Sequence, residues 1–100
     1  MKKHIAMIAI AAACCTAPAI ADQALATEKL CMTCHQLETK VVGPSYKEVA
    51  AKYKGNTDAA TLAAKIKAGG VGAWGQIPMP PQATLSDEDA IKLAEWILGL

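Results

Sequence analysis

Arginine and phenylalanine are absent from this chain of 100 residues, and its aromatic complement is two tryptophans and two tyrosines. Ten lysines are scattered among nine acidic residues. Nothing resembles the basic stripe that a phosphate backbone requires, so nucleic acid is excluded as an expected partner. Uninterrupted apolar runs fall short of the roughly 20 residues that cross a bilayer, which argues against a permanent membrane anchor. Strand signals are nearly absent too. Of four cysteines, Cys14 and Cys15 lie in the apolar start of the chain and only Cys31 and Cys34 follow, so no framework of disulfides can be built from these two.

What is present divides into a leader and one small domain. Lys2 and Lys3 give a basic start, residues 5–15 are apolar, and Ala19-Ile20-Ala21 is a small-x-small cleavage pattern. The expectation is a cleaved signal peptide over 1–21 and a domain over 22–100 beginning at Asp22, exported and soluble. A lipoprotein leader would need acylation at Cys14, but Ala11-Ala12-Ala13 lacks the large aliphatic residue such a site has three positions before its cysteine. Removing residues 1–21 takes away Lys2 and Lys3 and no acid, leaving eight lysines, nine acids and a net charge of −1. A domain of this length is small for a self-sufficient apolar core, and a buried covalent group would serve as its staple.

Helix signals dominate that domain. Residues 23–34 suit a first helix with Asp22 as its cap, and Ser45 with Glu48 forms a capping-box pattern for a helix over about 46–54. Residues 58–68 are alanine-rich and end at Gly69-Gly70. Ser86 with Asp89 opens the last helix, on which Ala90, Ala94 and Ile97 share a face beside Leu93 and Leu98. The stretches 35–45 and 69–85 read as irregular, long for so small a domain unless something fills the space between them.

Once Cys14 and Cys15 leave with the leader, the remaining cysteines are Cys31 and Cys34, followed at once by His35. Cys31-Met32-Thr33-Cys34-His35 is the C-x-x-C-H pattern of c-type haem attachment. Two thiols three positions apart on one turn can reach the two vinyl groups of a haem, and the adjacent imidazole then comes up beneath the iron. A thioredoxin-like dithiol would be expected beside a βαβ pattern, which is missing. A zinc site would need a further ligand, and no other cysteine or histidine survives processing. One covalently attached haem c is therefore the expected cofactor. Met79 is then the one methionine outside the motif, held in the proline-rich run Ile77-Pro78-Met79-Pro80-Pro81. It is the expected sixth iron ligand, the alternatives being a gap-filling core methionine, a lysine ligand or an open site.

Residues 31–35, Val42-Gly43-Pro44-Ser45-Tyr46-Lys47 and Trp74-Gly75-Gln76-Ile77-Pro78-Met79-Pro80-Pro81 resemble, in the same order and spacing, the small bacterial cytochromes c-551, also called cytochromes c8. The resemblance runs over nearly all of 25–98. It implies an all-α class I cytochrome c fold of about four helices around the haem, with His35 and Met79 as axial ligands. It also implies that the Pro44 carbonyl receives the proximal imidazole and that Trp74 donates its indole N–H to a haem propionate. The implied function is single-electron transfer in the periplasm by a monomer, not an enzyme, whose partners are redox proteins. These would be a membrane cytochrome complex as donor and a nitrite reductase or terminal oxidase as acceptor. The sequence departs from the family where relatives often carry an aromatic residue in the first helix and a glycine just before the first cysteine. Ala26 and Leu30 stand there instead, with Leu25 and Leu30 expected to supply compensating apolar area. A haem enzyme or gas sensor would need an open axial position and distal acid–base groups, and no second histidine remains to provide them.

Overall fold

The computed structural model describes the backbone of residues 18–100 and the side chains of 22–100. The expected leader lies outside the described residues as far as Ala17. Four helices follow in order: α1 (Pro18–Glu28), α2 (Tyr46–Tyr53), α3 (Ala59–Ala68) and α4 (Asp87–Leu98). No helix among the described residues is long and apolar enough to cross a membrane.

The three later helices begin where their capping residues dictate. The Ser45 hydroxyl accepts from the Glu48 amide at 3.1 Å while the Glu48 carboxylate accepts from the Ser45 amide at 3.3 Å, a complete capping box. Asp58 accepts from the Thr61 amide at 2.7 Å, and Ser86 from the Asp89 amide at 3.1 Å. Asp87, Glu88 and Asp89 then occupy the first turn of α4, where negative charge suits the positive end of the helix dipole. Helix α4 is the hub against which α1, α2 and α3 all pack. Its buried face, Ala90, Leu93, Ala94, Trp96 and Ile97, meets a core that includes Ala26, Tyr46, Val49, Leu62, Ala63 and Leu85. Ion pairs tie the ends together: Lys29 reaches Asp89 at 3.9 Å and Lys67 reaches Asp87.

At the first helix the structure departs from expectation. Helix α1 starts at Pro18, so Asp22 lies inside it and not at its cap, and it stops at Glu28 instead of running to residue 34. Leu30 adopts the left-handed conformation (φ 65°, ψ 16°), after which Cys31–Thr33 form a 3-10 turn. Leucine is a good helix former, so propensity extended the helix where tertiary structure turns it. A left-handed leucine costs about 1–2 kcal/mol. Leu30 is 74% exposed and supplies no compensating burial. The contact of α1 with α4 forms nonetheless, with Ala26 fully buried and Leu25 packed partly against the core.

The second departure is a two-stranded antiparallel hairpin, β1 (Gly70–Gly72) with β2 (Gly75–Met79), in a stretch that reads as irregular. Its residues are almost all exposed, so no alternation of apolar and polar side chains announces it. Pro78 is tolerated because a two-stranded sheet consists of edges. The other long connection, 35–45, is also ordered by backbone bonds: Gly43 N–H to Cys34 O at 2.8 Å, Tyr46 N–H to Gln36 O at 2.9 Å and Lys47 N–H to Leu37 O at 3.1 Å.

Candidate functional site

The 3-10 turn carries the two cysteines and delivers His35 directly after them. The His35 amide donates to the Cys31 carbonyl at 3.0 Å, closing the turn. Both cysteines are half-buried. Burial pushes the Cys31 thiol up from its ordinary value, an effect only partly offset by the Tyr46 hydroxyl beside it. A thioether sulfur has no proton to lose and tolerates the same surroundings. The Tyr46 hydroxyl is likewise raised, chiefly by burial and further by the neighbouring Cys31.

The imidazole is fixed from three sides. His35 Nδ1 lies 2.8 Å from the Pro44 carbonyl oxygen. A carbonyl can only accept, so Nδ1 carries the proton and Nε2 keeps its lone pair free for a metal. Gly43 lies against the ring so closely that a Cβ there would stand 2.5 Å from His35 Cε1 and 2.9 Å from Nδ1. Tyr46 packs on the ring with centroids 5.2 Å apart and is itself backed by Trp96 at 5.0 Å in an edge-to-face contact. Trp96 is buried in the core, as a packing residue of α4 should be.

Met79 and Trp74 belong to the hairpin. Met79 closes β2, half-buried, opposite Gly70. Gly69 has φ 64° and passes so near this strand that a Cβ would meet the Met79 carbonyl oxygen at 2.4 Å, so glycine is required there twice over. Trp74 sits in the turn between the strands, 37% exposed. Its ring meets the edge of Tyr53 from α2 at 6.4 Å, and Lys52 Nζ lies 4.5 Å from its centroid. The expected site residues thus occupy two segments, the turn-and-loop of 31–44 and the hairpin of 70–79.

A family model for cytochrome c matches residues 21–100. The chain belongs to the cytochrome c family. Cytochrome c-552 of Nitrosomonas europaea is 60% identical over 81 residues, covering 80% of this chain and 79% of that protein. Cytochrome c-551 of Stutzerimonas stutzeri is 50% identical over 104 residues and aligns with 100% of this chain and 99% of its own length. The crystal structure of the wild-type Nitrosomonas europaea cytochrome c552 superposes with a TM-score of 0.74 at 59% identity, over 78% of this chain and 98% of that one. This cytochrome has the small helical class I fold, carries one covalently attached haem c and acts as an electron carrier, not an enzyme; its partners are redox proteins.

The residues present fit such a group: two half-buried thiols on one turn, an imidazole with Nδ1 pinned and Nε2 free, and a glycine cradle beneath that ring. Gly43, Gly69 and Lys52 also take part in building the site, although the sequence did not assign them these contacts. A glycine directly before Pro44 in a loop beside the motif was the available signal for Gly43. Nothing in the sequence pairs Lys52 with Trp74.

Proposed function

We propose that this cytochrome is a periplasmic single-electron carrier whose haem is attached through Cys31 and Cys34 and whose iron is held between His35 and Met79. The observation that carries this reading is the 2.8 Å contact of His35 Nδ1 with the Pro44 carbonyl, which orients the ring and raises its basicity while leaving Nε2 to the iron. The haem supplies a one-electron iron couple. The chain's residues do the rest. Cys31 and Cys34 tether the group on a rigid turn, Gly43 and Tyr46 prevent the imidazole from swinging, and the proline-flanked Met79 presents its thioether from a stiff strand end. With His35 and Met79 both holding its iron, the bound haem would favour outer-sphere electron transfer over binding of oxygen or peroxide. Trp74 would help hold the group by donating its indole N–H to a propionate.

Export rests on the leader over 1–21, cut after Ala21. It is supported by the family model beginning at residue 21, one position from that cut. The mature chain acts as a monomer between a membrane cytochrome complex and a nitrite reductase or terminal oxidase. Docking uses an apolar patch formed by Val42, Gly43, Ile77 and Pro80, where Val42 and Ile77 are exposed. Lys40 and Lys47 border it, with Lys47 engaged by Glu38. Intact-mass spectrometry and peptide mapping of the protein from the periplasm of cells with a working maturation system test the reading together. The expected species starts at Asp22 and carries one haem mass on the 31–35 peptide. A mature chain lacking that mass, or ready binding of carbon monoxide by the wild type at neutral pH, would overturn it.

A further inference from the structure

A tryptophan in a two-residue turn between exposed strands has no packing of its own to hold its ring. Here the turn is held from outside. Lys52, in the last turn of α2, donates from Nζ to the Ala73 carbonyl at 2.8 Å, and the same ammonium stands 4.5 Å from the Trp74 ring centroid and 5.5 Å from that of Tyr53. Tyr53 presents its ring to Trp74 at 72°, and Lys65 approaches the Tyr53 ring at 5.9 Å. Lys52 therefore grips the turn by backbone and by ring at once, and it does so from a helix whose cap, Ser45, directly follows Pro44.

We propose that Lys52 is a positioning residue for Trp74: it docks the hairpin turn on α2 so that the indole N–H is presented to the propionate in one fixed orientation. The proposal rests on the reading of Trp74 given above. One exposed cation–π contact and one charge-assisted hydrogen bond to a carbonyl each shift the docked–undocked equilibrium of the turn several-fold, and together by about tenfold.

Lys52→Met keeps the aliphatic stem on an exposed helix position, where methionine is a good helix former, and removes the ammonium. In the holoprotein, hydrogen exchange of the Trp74 indole N–H, followed by NMR, should accelerate about tenfold. The buried Trp96 indole serves as internal reference and should not change. Lys52→Arg, which can both stack and donate, should restore slow exchange. The reduction potential of Lys52→Met should move in the same direction as that of Trp74→Phe, and adding Lys52→Met to Trp74→Phe should move it no further. Unchanged exchange at Trp74 overturns the proposal, as does equal acceleration at Trp74 and Trp96, which would mark a general loss of stability. A potential shift of the same size with and without Trp74 also overturns it, because Lys52 would then act as a nearby charge. If Trp74→Phe leaves the potential where it was while Lys52→Met still frees the Trp74 proton, the clamp stands and the propionate contact of Trp74 is what fails.

Discussion

Replacing Gly43 with alanine tests how the proximal imidazole is held. The new methyl would stand 2.5 Å from His35 Cε1, 2.9 Å from Nδ1 and 3.2 Å from Nε2. Carbon atoms rest at about 3.5–4.0 Å, so roughly 1 Å must be found. The ring cannot yield freely, because Tyr46 packs against it and retreat would stretch its 2.8 Å contact with the Pro44 carbonyl. Overpacking of this kind costs about 1–3 kcal/mol, and a lost hydrogen bond adds a net cost of about 0.5–1.5 kcal/mol. In a domain of this size each kcal/mol lowers the melting temperature by about 4–8 °C, so the holoprotein should melt roughly 10–25 °C lower. Val42→Ala, one position away at a 45% exposed residue, is the control and should stay within about 0.5 kcal/mol of wild type. Thermal unfolding by circular dichroism measures both variants, and the proton NMR signal of the His35 Nδ1–H reports whether the ring has moved. A Gly43→Ala protein that melts within about 3 °C of wild type with that signal in place would refute the steric account.

Ser45→Ala removes the hydroxyl that caps α2 while its backbone amide can still donate to Glu48, at a residue only 1% exposed, and should cost about 1–2 kcal/mol by denaturant unfolding. A loss below about 0.3 kcal/mol would contradict the role of the capping box. Glu38 and Asp87 have carboxyls lowered by hydrogen bonds and charge from Lys47 and Lys67, and Asp58 by hydrogen bonds from Thr61. Folded carboxyls depressed below their ordinary values bind fewer protons than the unfolded chain, so their contribution is complete above those ordinary values and fades as pH falls through the folded ones. Unfolding midpoints should therefore be level at neutral pH and decline below about pH 4, and a rise on acidification would contradict this. Electron transfer to a redox-protein acceptor should change little with ionic strength, because residues 22–100 hold eight lysines against nine acids and apolar contact is not screened. A rate that falls by about an order of magnitude towards physiological salt, measured by stopped flow, would place the lysines in control.

The parts of this molecule that were legible in its sequence are those with local causes. Ser45 with Glu48 and Ser86 with Asp89 mark the starts of α2 and α4 through side chains that bond amides three residues on; Asp58, which reads only as the first residue of an alanine-rich stretch, caps α3 in the same way. The buried stripe of α4 is periodic and therefore visible. The end of α1 was not, because Leu30 is a helix former placed in a left-handed turn by the geometry that follows it. The hairpin was hidden because its strands bury almost nothing and so carry no pattern. At the site, Cys31, Cys34 and His35 are neighbours in sequence and declare themselves as a motif. Gly69 against Met79 and Lys52 against Trp74 join separate segments, which only the assembled chain reveals, whereas Gly43 against His35 left one local trace, a glycine directly before Pro44 beside the motif.

The central claim is that the iron lies between His35 and Met79, and the weak near-infrared sulfur-to-iron band of the oxidised protein tests it most directly. Met79 is the only methionine of the domain outside the 31–35 motif. The wild type should show the band; Met79→Ala should lose it, with a lower reduction potential and new binding of cyanide or carbon monoxide. A wild-type spectrum without the band, or a band that persists in Met79→Ala, would contradict the account.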